Sequence, residues 1–137
     1  LRFFTVYGPR QRPDLAIHKF TNRILENKPI QIFGDGNTSR DYTYITDIIS
    51  GIDSAIYHLH GFNIFNLGES VTITLNNLIQ ILENAIGIEA IKEYVPLKPG
   101  DVERTWADIS KARNELGYDP VFTFKEGIEQ FMRWKLG

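Results

Sequence analysis

The sequence contains no cysteine, no long apolar run and no excess of positive charge, and each absence removes a class of protein. Without cysteine the chain cannot form disulfides or thiolate metal sites, which fits a cytoplasmic location. No apolar run approaches the roughly 20 residues that a membrane span requires, so we expect no membrane partner. The net charge of -2 gives no field that would attract nucleic acid. A site for an anion must therefore be built from a few locally placed arginines and lysines.

The common phosphate-binding and metal motifs are missing as well. The sequence has no G-x-G-x-x-G or related glycine pattern, no Walker loop and no H-E-x-x-H motif. His18, His58 and His60 lack the helical spacing of paired metal ligands. We therefore interpret the three histidines as surface or partly packed side chains and predict no metal site.

One short pattern looks like a catalytic base pair but contains an obstacle. Residues 94–98 read Tyr-Val-Pro-Leu-Lys, and a Tyr-x-x-x-Lys pair works when a helix holds both side chains on one face. Pro96 lies inside the interval and would break such a helix. We therefore expect no catalytic role for Tyr94 and Lys98.

The size and composition are those of one folded domain. The chain has 137 residues, of which 42% are hydrophobic and 23% are charged. Residues 1–7 form an apolar run broken only by Arg2 and Thr5, as expected for a strand buried on both faces of a parallel sheet. Since domains seldom begin on a buried strand, we interpret the chain as a fragment whose preceding strands are absent. An ordinary N-terminal strand is the alternative.

Strand-like and helix-like segments alternate along the chain, which favours the α/β class. Strands are predicted at residues 1–7, 30–33, 40–45, 62–67 and 91–95, with a Gly-rich turn at residues 34–37. Helices are predicted to start at Asp14, Asp47, Thr74, Ser110 and Thr123. Thr123 and Glu126 form a capping-box pattern. The second helix has a single apolar face made of Ile48, Ile49, Ile52, Ala55, Ile56 and Leu59.

Positively charged residues occur in three loops. Arg10 and Arg12 follow the first strand, Arg40 follows the Gly-rich turn, and residues 98–101 read Lys-Pro-Gly-Asp. Ligands of open α/β sheets bind in loops at the carboxyl ends of strands, and arginine binds phosphate oxygens bidentately. The pattern therefore indicates an anionic ligand such as a diphosphate. The alternative is that each arginine is a solvated or salt-bridged surface residue.

Taken in order, these segments resemble one protein family along essentially the whole chain. Residues 1–14 resemble the segment that follows the catalytic helix in extended short-chain dehydrogenases, the NAD-dependent epimerase/dehydratase family. Residues 32–36, 39–45 and 65–68 are similar to its next blocks, and residues 99–102 and 105–112 are similar to its last. The form Thr-Val-Tyr-Gly-Pro-Arg-x-Arg-Pro-Asp at residues 5–14 looks most like the UDP-glucuronate 4-epimerases of this family.

The resemblance implies a fold and an activity. It implies that residues 1–137 are the C-terminal, substrate-binding part of a doubly wound Rossmann-type sheet, with the NAD-binding part absent. The intact enzyme is expected to oxidise a UDP-sugar at C4 with bound NAD and to reduce it from the other face, interconverting UDP-glucuronate and UDP-galacturonate. The family's NAD-binding glycines and its Tyr and Lys bases lie upstream of Leu1. We therefore expect this chain alone to bind no NAD, to be inactive, and to self-associate through an exposed sheet edge.

The resemblance also assigns roles to individual residues. Arg40 is expected to contact the diphosphate, Lys98 to support the phosphates and Asp101 to accept hydrogen bonds from ribose hydroxyls. Phe33 is expected to line the uracil pocket. Thr5 and Arg12 are expected to face the sugar carboxylate. The resemblance thus gives six substrate-binding candidates: Thr5, Arg12, Phe33, Arg40, Lys98 and Asp101.

Three alternatives stay open. A related UDP-glucose 4-epimerase, sugar dehydratase or decarboxylase would have the same overall pattern, and positions 5 and 12 favour a uronate among them. The fragment could instead bind UDP-sugars without chemistry, or it could be a remnant that only packs. A nucleotide titration separates the last two.

Overall fold

The structure is a computed structural model that describes residues 1–58, 60–97 and 99–137. Within these residues the helices are α1 (Ala16–Leu25), α2 (Ile45–Ile56), α3 (Leu75–Ile86), α4 (Ser110–Leu116) and α5 (Phe124–Leu136). The strands are β1 (Arg2–Phe3), β2 (Thr5–Tyr7), β3 (Ile30–Phe33), β4 (Ser39–Tyr44), β5 (Asn66–Leu67), β6 (Thr72–Thr74) and β7 (Lys92–Val95). No helix in this part of the chain is long and apolar enough to cross a membrane.

The strands form three small sheets whose pairings are mostly parallel. β1 pairs with β5, β2 with β4 and β3 with β7, all in parallel, and β6 joins β4 in the antiparallel direction. Helices lie between the paired strands in sequence, as parallel pairing requires. The α/β class predicted from the sequence is therefore confirmed. β3 and β4 flank the Gly-rich turn but belong to different sheets, so this turn does not make a hairpin.

The first predicted strand is divided and only partly buried. The strand is interrupted at Phe4, so that β1 pairs with β5 and β2 pairs with β4. Tyr7 is buried, but Leu1 and Phe3 are about half exposed. The expectation of burial on both faces was therefore wrong for β1, because no described element covers its outer side.

Two helix starts were assigned to the wrong residue. The residue that precedes α1 is Leu15, and Asp14 pairs with Arg12 instead of capping the helix. α2 begins directly after Tyr44, so Asp47 lies in its first turn. The Asp47 carboxylate accepts hydrogen bonds from the backbone N–H groups of Val121 and Phe122. Asp14 thus binds a side chain two residues away, whereas Asp47 binds backbone groups 74 and 75 residues away.

Other local predictions are confirmed in detail. The Thr74 hydroxyl accepts from the backbone N–H of Asn77, and Thr123 and Glu126 form the expected capping box. Gly117 ends α4 with a φ of 66°, which glycine adopts readily. The strand expected at residues 62–67 is shorter, since only β5 forms.

The hydrophobic residues form two cores. The larger core packs α1, α3 and α5 around β2, β3 and β4, with Tyr7 in contact with the rings of Tyr42, Tyr44 and Phe124. The smaller core packs α2 and α4 against β5. In α2, Ile48 is buried but Ile49 and Ile56 are exposed, so the apolar face is wider than the surface that covers it. Leu59, predicted on the same face, lies outside the described residues.

Candidate functional site

The ends of α1, β3 and β4 surround a cleft of about 300 Å³, which we call the Arg40 cleft. Its lining consists of Asp14, Ala16, Lys19, Phe20, Gln31, Phe33, Thr38, Arg40, Tyr42, Leu75 and Asp101. Three of the six predicted binding residues therefore meet in one place: Phe33, Arg40 and Asp101. They come from β3, β4 and the loop after β7, and 61 residues separate Arg40 from Asp101 in the sequence.

Arg40 is held in the lining of the cleft by one backbone and one side-chain contact. Its Nη1 donates to the carbonyl oxygen of Ser39 at 2.8 Å, and its Nη2 donates to Oδ1 of Asp101 at 3.1 Å. The side chain is partly buried, so the charge lies where solvent screens it less than on an open surface. A guanidinium oriented in this way can bind the oxygens of a phosphate or diphosphate.

Backbone pairing fixes the loop that carries Asp101. Ser39 donates from its backbone N–H to the carbonyl of Glu103 at 2.8 Å, and Thr105 donates to the carbonyl of Ser39 at 3.1 Å. These bonds extend the edge of β4 with the segment that follows Asp101. Lys98, predicted to support the phosphates from the same loop, lies outside the described residues.

Apolar side chains also line the Arg40 cleft. β3 alternates, so that Ile30 and Ile32 are buried in the core whereas Gln31 and Phe33 line the cleft. Phe33 and Phe20 present ring surface, which suits a planar base. The combination of a ring wall, a cation and a carboxylate is suited to a nucleoside diphosphate.

Several lining residues were not predicted from the sequence. Lys19 adds a second cation to the Arg40 cleft, and Gln31 adds an amide. Of these two, only Gln31 had a signal in the sequence, because it is two residues before Phe33 on a strand and therefore lies on the same face. Tyr42 is buried and still reaches the cleft.

Arg12 lies in a neighbouring cleft of about 240 Å³, which we call the loop cleft. Its lining consists of Val6, Tyr7, Gly8, Pro9, Arg10, Gln11, Arg12, Leu15 and Ile45. Thr5 pairs in register with Tyr42 on the sheet and is part of neither lining among the described residues. The structure thus brings Arg12 near the predicted binding region but does not join it with Thr5 in one cavity.

Asp14 links the two clefts. Its carboxylate accepts from Nε of Arg12 at 3.0 Å, and the same residue lines the Arg40 cleft. The Arg12 guanidinium holds the pKa of the Asp14 carboxyl below its ordinary value. Both side chains are largely exposed, so the pair is weak. An anion that binds Arg12 therefore has to compete with Asp14, at modest cost.

The tyrosines beside the clefts are poor candidates for general bases. Burial raises the pKa of Tyr42 to about 12 and raises the pKa of Tyr7 further above the ordinary value of a phenol. Tyr7 also donates its hydroxyl proton to the carbonyl of Phe124 at 3.1 Å. Tyr94 lies on β7 with an exposed side chain, and Pro96 follows directly after that strand. The environments of Tyr7, Tyr42 and Tyr94 therefore do not favour any of these three tyrosines as a general base.

The histidines do not gather into a metal site. Within residues 1–58, 60–97 and 99–137, no three His, Asp or Glu side chains come together as metal ligands do. His18 is buried, and its Nδ1 lies 2.8 Å from the carbonyl oxygen of Gln11. Its Nε2 lies 3.3 Å from the ammonium group of Lys135. His18 therefore braces the loop that carries Arg12 against α5.

Comparison with known proteins gives a consistent answer. Residues 1–131 match the protein family described as GDP-mannose 4,6 dehydratase. The UDP-glucuronate 4-epimerase of Thermodesulfobacterium geofontis is 46% identical over 135 residues, which cover 98% of this chain and 42% of that protein.

Solved structures agree in fold as well as in sequence. The UDP-glucuronic acid 4-epimerase of Bacillus cereus, in complex with UDP-glucuronic acid and NAD, is 42% identical with a TM-score of 0.88. The match covers 97% of this chain and 43% of that one. The UDP-glucose 4-epimerase of Thermotoga maritima, with UDP-glucose, is 33% identical with a TM-score of 0.89, over 98% of this chain and 44% of that one. The chain spans about two fifths of the length of the relatives it matches.

Proposed function

Because this chain belongs to the GDP-mannose 4,6 dehydratase family, we propose that it is the substrate-binding region of an NAD-dependent nucleotide-sugar 4-epimerase. The substrates proposed for the whole enzyme are UDP-glucuronate and UDP-galacturonate. Support comes from relatives of that activity at 46% and 42% identity. A cytoplasmic location stays a prediction from the sequence.

One observation carries the proposal: Phe33, Arg40 and Asp101 line a single cleft. Arg40 binds the diphosphate, since its guanidinium is held by Asp101 and partly shielded from solvent. Asp101 accepts hydrogen bonds from ribose hydroxyls, and the ring of Phe33 packs against uracil. Lys19, in the lining of the same cleft, adds charge for the phosphates.

The preference for a uronate depends on Arg12 and Thr5. A carboxylate at C6 of the sugar needs a charged donor, and Arg12 lies in the loop cleft next to the Arg40 cleft. A neutral hexose would leave that guanidinium with Asp14 as its only proposed partner. Thr5 supplies a hydroxyl from β2, the strand that leads into the loop carrying Arg12.

The residues present in this chain do not fit NAD. A dinucleotide needs an open helix N-terminus behind a glycine-rich turn. Here α2 follows β4 without a turn, and Ile45 packs so closely on Gly8 that an added Cβ would lie 2.6 Å from its Cγ2. We therefore assign the cofactor and the Tyr and Lys bases to residues outside this chain. This chain alone is expected neither to retain NAD nor to epimerise.

A neutral UDP-sugar is the second candidate substrate. The specific observation in its favour is the Thermotoga maritima relative, a UDP-glucose 4-epimerase that superposes as well as the uronate enzyme does. A related dehydratase or decarboxylase, or a fragment that binds UDP-sugars without chemistry, would use the same Arg40 cleft.

Isothermal titration calorimetry tests the proposal. The purified chain is titrated with UDP, UDP-glucuronate, UDP-glucose and GDP in separate experiments. We expect UDP and both UDP-sugars to bind, UDP-glucuronate most tightly, and GDP to bind weakly. Absence of binding by UDP and by both sugars contradicts the proposed function, whereas tighter binding of UDP-glucose moves the assignment to the neutral sugar.

A further inference from the structure

Asp41 is a buried carboxylate beside the Arg40 cleft. Its side chain is 0% exposed, and it lies on β4 directly between Arg40 and Tyr42, which both line the cleft. Within residues 1–58, 60–97 and 99–137, no Lys, Arg or His forms an ion pair with it. A buried charge without a cation is costly unless hydrogen-bond donors surround it.

Four donors surround the Asp41 carboxylate, and three of them are backbone N–H groups. Oδ1 accepts from the backbone N–H of Glu69 at 2.8 Å and from the hydroxyl of Thr43 at 3.2 Å. Oδ2 accepts from the backbone N–H groups of Ser70 and Ala107, each at 3.0 Å. Asp41 therefore binds two separate loops to β4 at one point.

The Ala107 contact is one of several that join residues 104–107, the segment after Asp101, to β4. Thr105 lies between Asp101 and Ala107, and its Oγ1 accepts from the backbone N–H of Asp41 at 3.4 Å. The backbone of Arg104 forms a parallel β-bridge with that of Ser39. Gly68 leaves room for this arrangement, since an added Cβ would collide with the side chain of Ala107 and lie 3.1 Å from Oδ2 of Asp41. The absence of a side chain at Gly68 therefore allows Ala107 to approach Asp41 closely.

We propose that Asp41 is a positioning residue for the nucleotide site, which sets the separation of Arg40 and Asp101 by anchoring residues 103–107 to β4. The inference rests on the proposed function, because it concerns how that function's ligand is bound. Asp41 itself touches no ligand and acts through the loop that carries Asp101.

Asp47 provides a matched control in the same chain. It is also a buried aspartate, 3% exposed, whose carboxylate accepts from two backbone N–H groups, those of Val121 and Phe122, at 3.2 and 3.1 Å. The segment it binds precedes α5 and contributes no residue to the Arg40 cleft. Loss of either carboxylate should lower stability, but only loss of Asp41 should alter the cleft.

The first measurement is amide hydrogen exchange, read for single residues by NMR, in Asp41→Asn and Asp47→Asn. A carboxamide has one acceptor oxygen, so each variant loses part of its set of bonds. In Asp41→Asn we expect the amides of Thr105 and Ala107 to exchange faster, with those of Val121 and Phe122 unchanged. In Asp47→Asn we expect the amides of Val121 and Phe122 to exchange faster, with those of Thr105 and Ala107 unchanged. Unchanged protection of Ala107 and Thr105 in Asp41→Asn overturns the inference.

The second measurement is UDP affinity by calorimetry, well below the unfolding temperature of each variant. Displacement of a contact residue weakens binding strongly, so we expect Asp41→Asn to raise the Kd for UDP by roughly tenfold or more. Asp47→Asn is expected to leave it unchanged. Because Asp41 acts through Asp101, Asp101→Ala should weaken binding less in the Asp41→Asn background than in the unmodified chain.

Two results separate the inference from the proposed function. If the unmodified chain does not bind UDP, the proposed function fails and the nucleotide role of Asp41 fails with it. If the unmodified chain binds UDP and Asp41→Asn lowers the affinity for UDP no more than Asp47→Asn does, only the inference fails. Should Asp41→Asn not fold, Thr105→Val removes one contact of the same anchor and is expected to change both measurements in the same direction by a smaller amount.

Discussion

Nη2 of Arg40 lies 3.1 Å from Oδ1 of Asp101, so two side chains expected to contact different parts of a nucleotide also contact each other. The pair is partly exposed, with exposed side-chain fractions of 24% for Arg40 and 39% for Asp101. A pair of this kind contributes no more than about 1 kcal/mol. A diphosphate carries more charge than one carboxylate and can compete for the guanidinium, which leaves Asp101 free to accept from a ribose.

Replacement of Arg40 by methionine tests the diphosphate contact. Arg40→Met keeps the length of the side chain and removes its charged donors, at a typical cost of about 1.5–3 kcal/mol, or roughly ten- to a hundred-fold in Kd. UDP, UDP-glucuronate and UDP-glucose should be weakened alike, because the diphosphate is common to all three. Arg113→Met is the control, since Arg113 forms a similar pair with Asp119, also at 3.1 Å, away from the cleft. A loss confined to one ligand contradicts the assignment.

Local signals in the sequence were sufficient for most of the helices and strands. Thr74, Gly117 and the pair Thr123 and Glu126 end or begin helices as predicted, because each acts on backbone groups within five residues. Predictions of a helix start failed where an aspartate binds a group other than the first backbone N–H groups of the helix. Asp47 accepts hydrogen bonds from backbone N–H groups 74 and 75 residues away, and no local pattern indicates these partners.

The candidate site shows the same division. Cations in three loops indicated a site for an anion, and the resemblance to a family named Phe33, Arg40 and Asp101, which do line one cleft. The alternative of separate, solvated arginines holds in part for Arg12, which pairs with Asp14 on the surface. Lys19 was not predicted because its position depends on how α1 packs beside β3, which the spacing of apolar residues does not specify.

The capping box of α5 should contribute measurably to stability. In Thr123→Ala the side chain no longer accepts from the backbone N–H of Glu126 or donates to its carboxylate. Loss of such a cap typically lowers the free energy of unfolding by about 1 kcal/mol. Urea denaturation measures the change, with Thr46→Ala as a control on the exposed first turn of α2. An equal effect of the two substitutions would contradict a specific role for the cap.

Glu69 should make stability depend on pH near neutrality. Its carboxyl is partly buried, and burial together with the charges of Asp47, Asp41 and Asp119 raises its pKa from 4.5 to about 7. One of its oxygens, Oε2, is buried without a hydrogen-bond partner in the described part of the chain. The folded state therefore holds the proton more tightly than the unfolded state does, and the free energy of unfolding falls as pH rises from about 4.5 through about 7.

Glu69→Gln keeps the shape of the side chain and cannot ionise, so it should flatten this part of the profile. The measurement is the free energy of unfolding in urea across the pH range. It is compared between Glu69→Gln and the unmodified chain, so that contributions from groups common to both proteins cancel. Glu129→Gln, at an exposed position of α5, is the control. A constant difference in unfolding free energy at every pH would show that Glu69 does not titrate in this range.

The outer side of β1 should promote association between copies of the chain. β1 pairs only with β5 within the described residues, and Leu1 and Phe3 present about half of their surface to solvent. Such an apolar edge favours pairing with another strand. We expect a concentration-dependent dimer by light scattering, weakened by Phe3→Asp. Val121→Asp, an exposed apolar position elsewhere, should leave association unchanged. A strictly monomeric species at high concentration contradicts the prediction.

Arg12 should decide between a uronate and a neutral sugar. It lies in the loop cleft, where Asp14 is its partner, and a sugar carboxylate would take the place of Asp14. Arg12→Met should raise the Kd for UDP-glucuronate by roughly ten- to a hundred-fold and leave the Kd for UDP-glucose unchanged, because C6 of glucose carries no charge. Arg10→Met, in the same cleft, is the control and should preserve the preference. If Arg12→Met weakens both sugars equally, Arg12 binds phosphate or supports the loop, and the neutral UDP-sugar becomes the better substrate assignment.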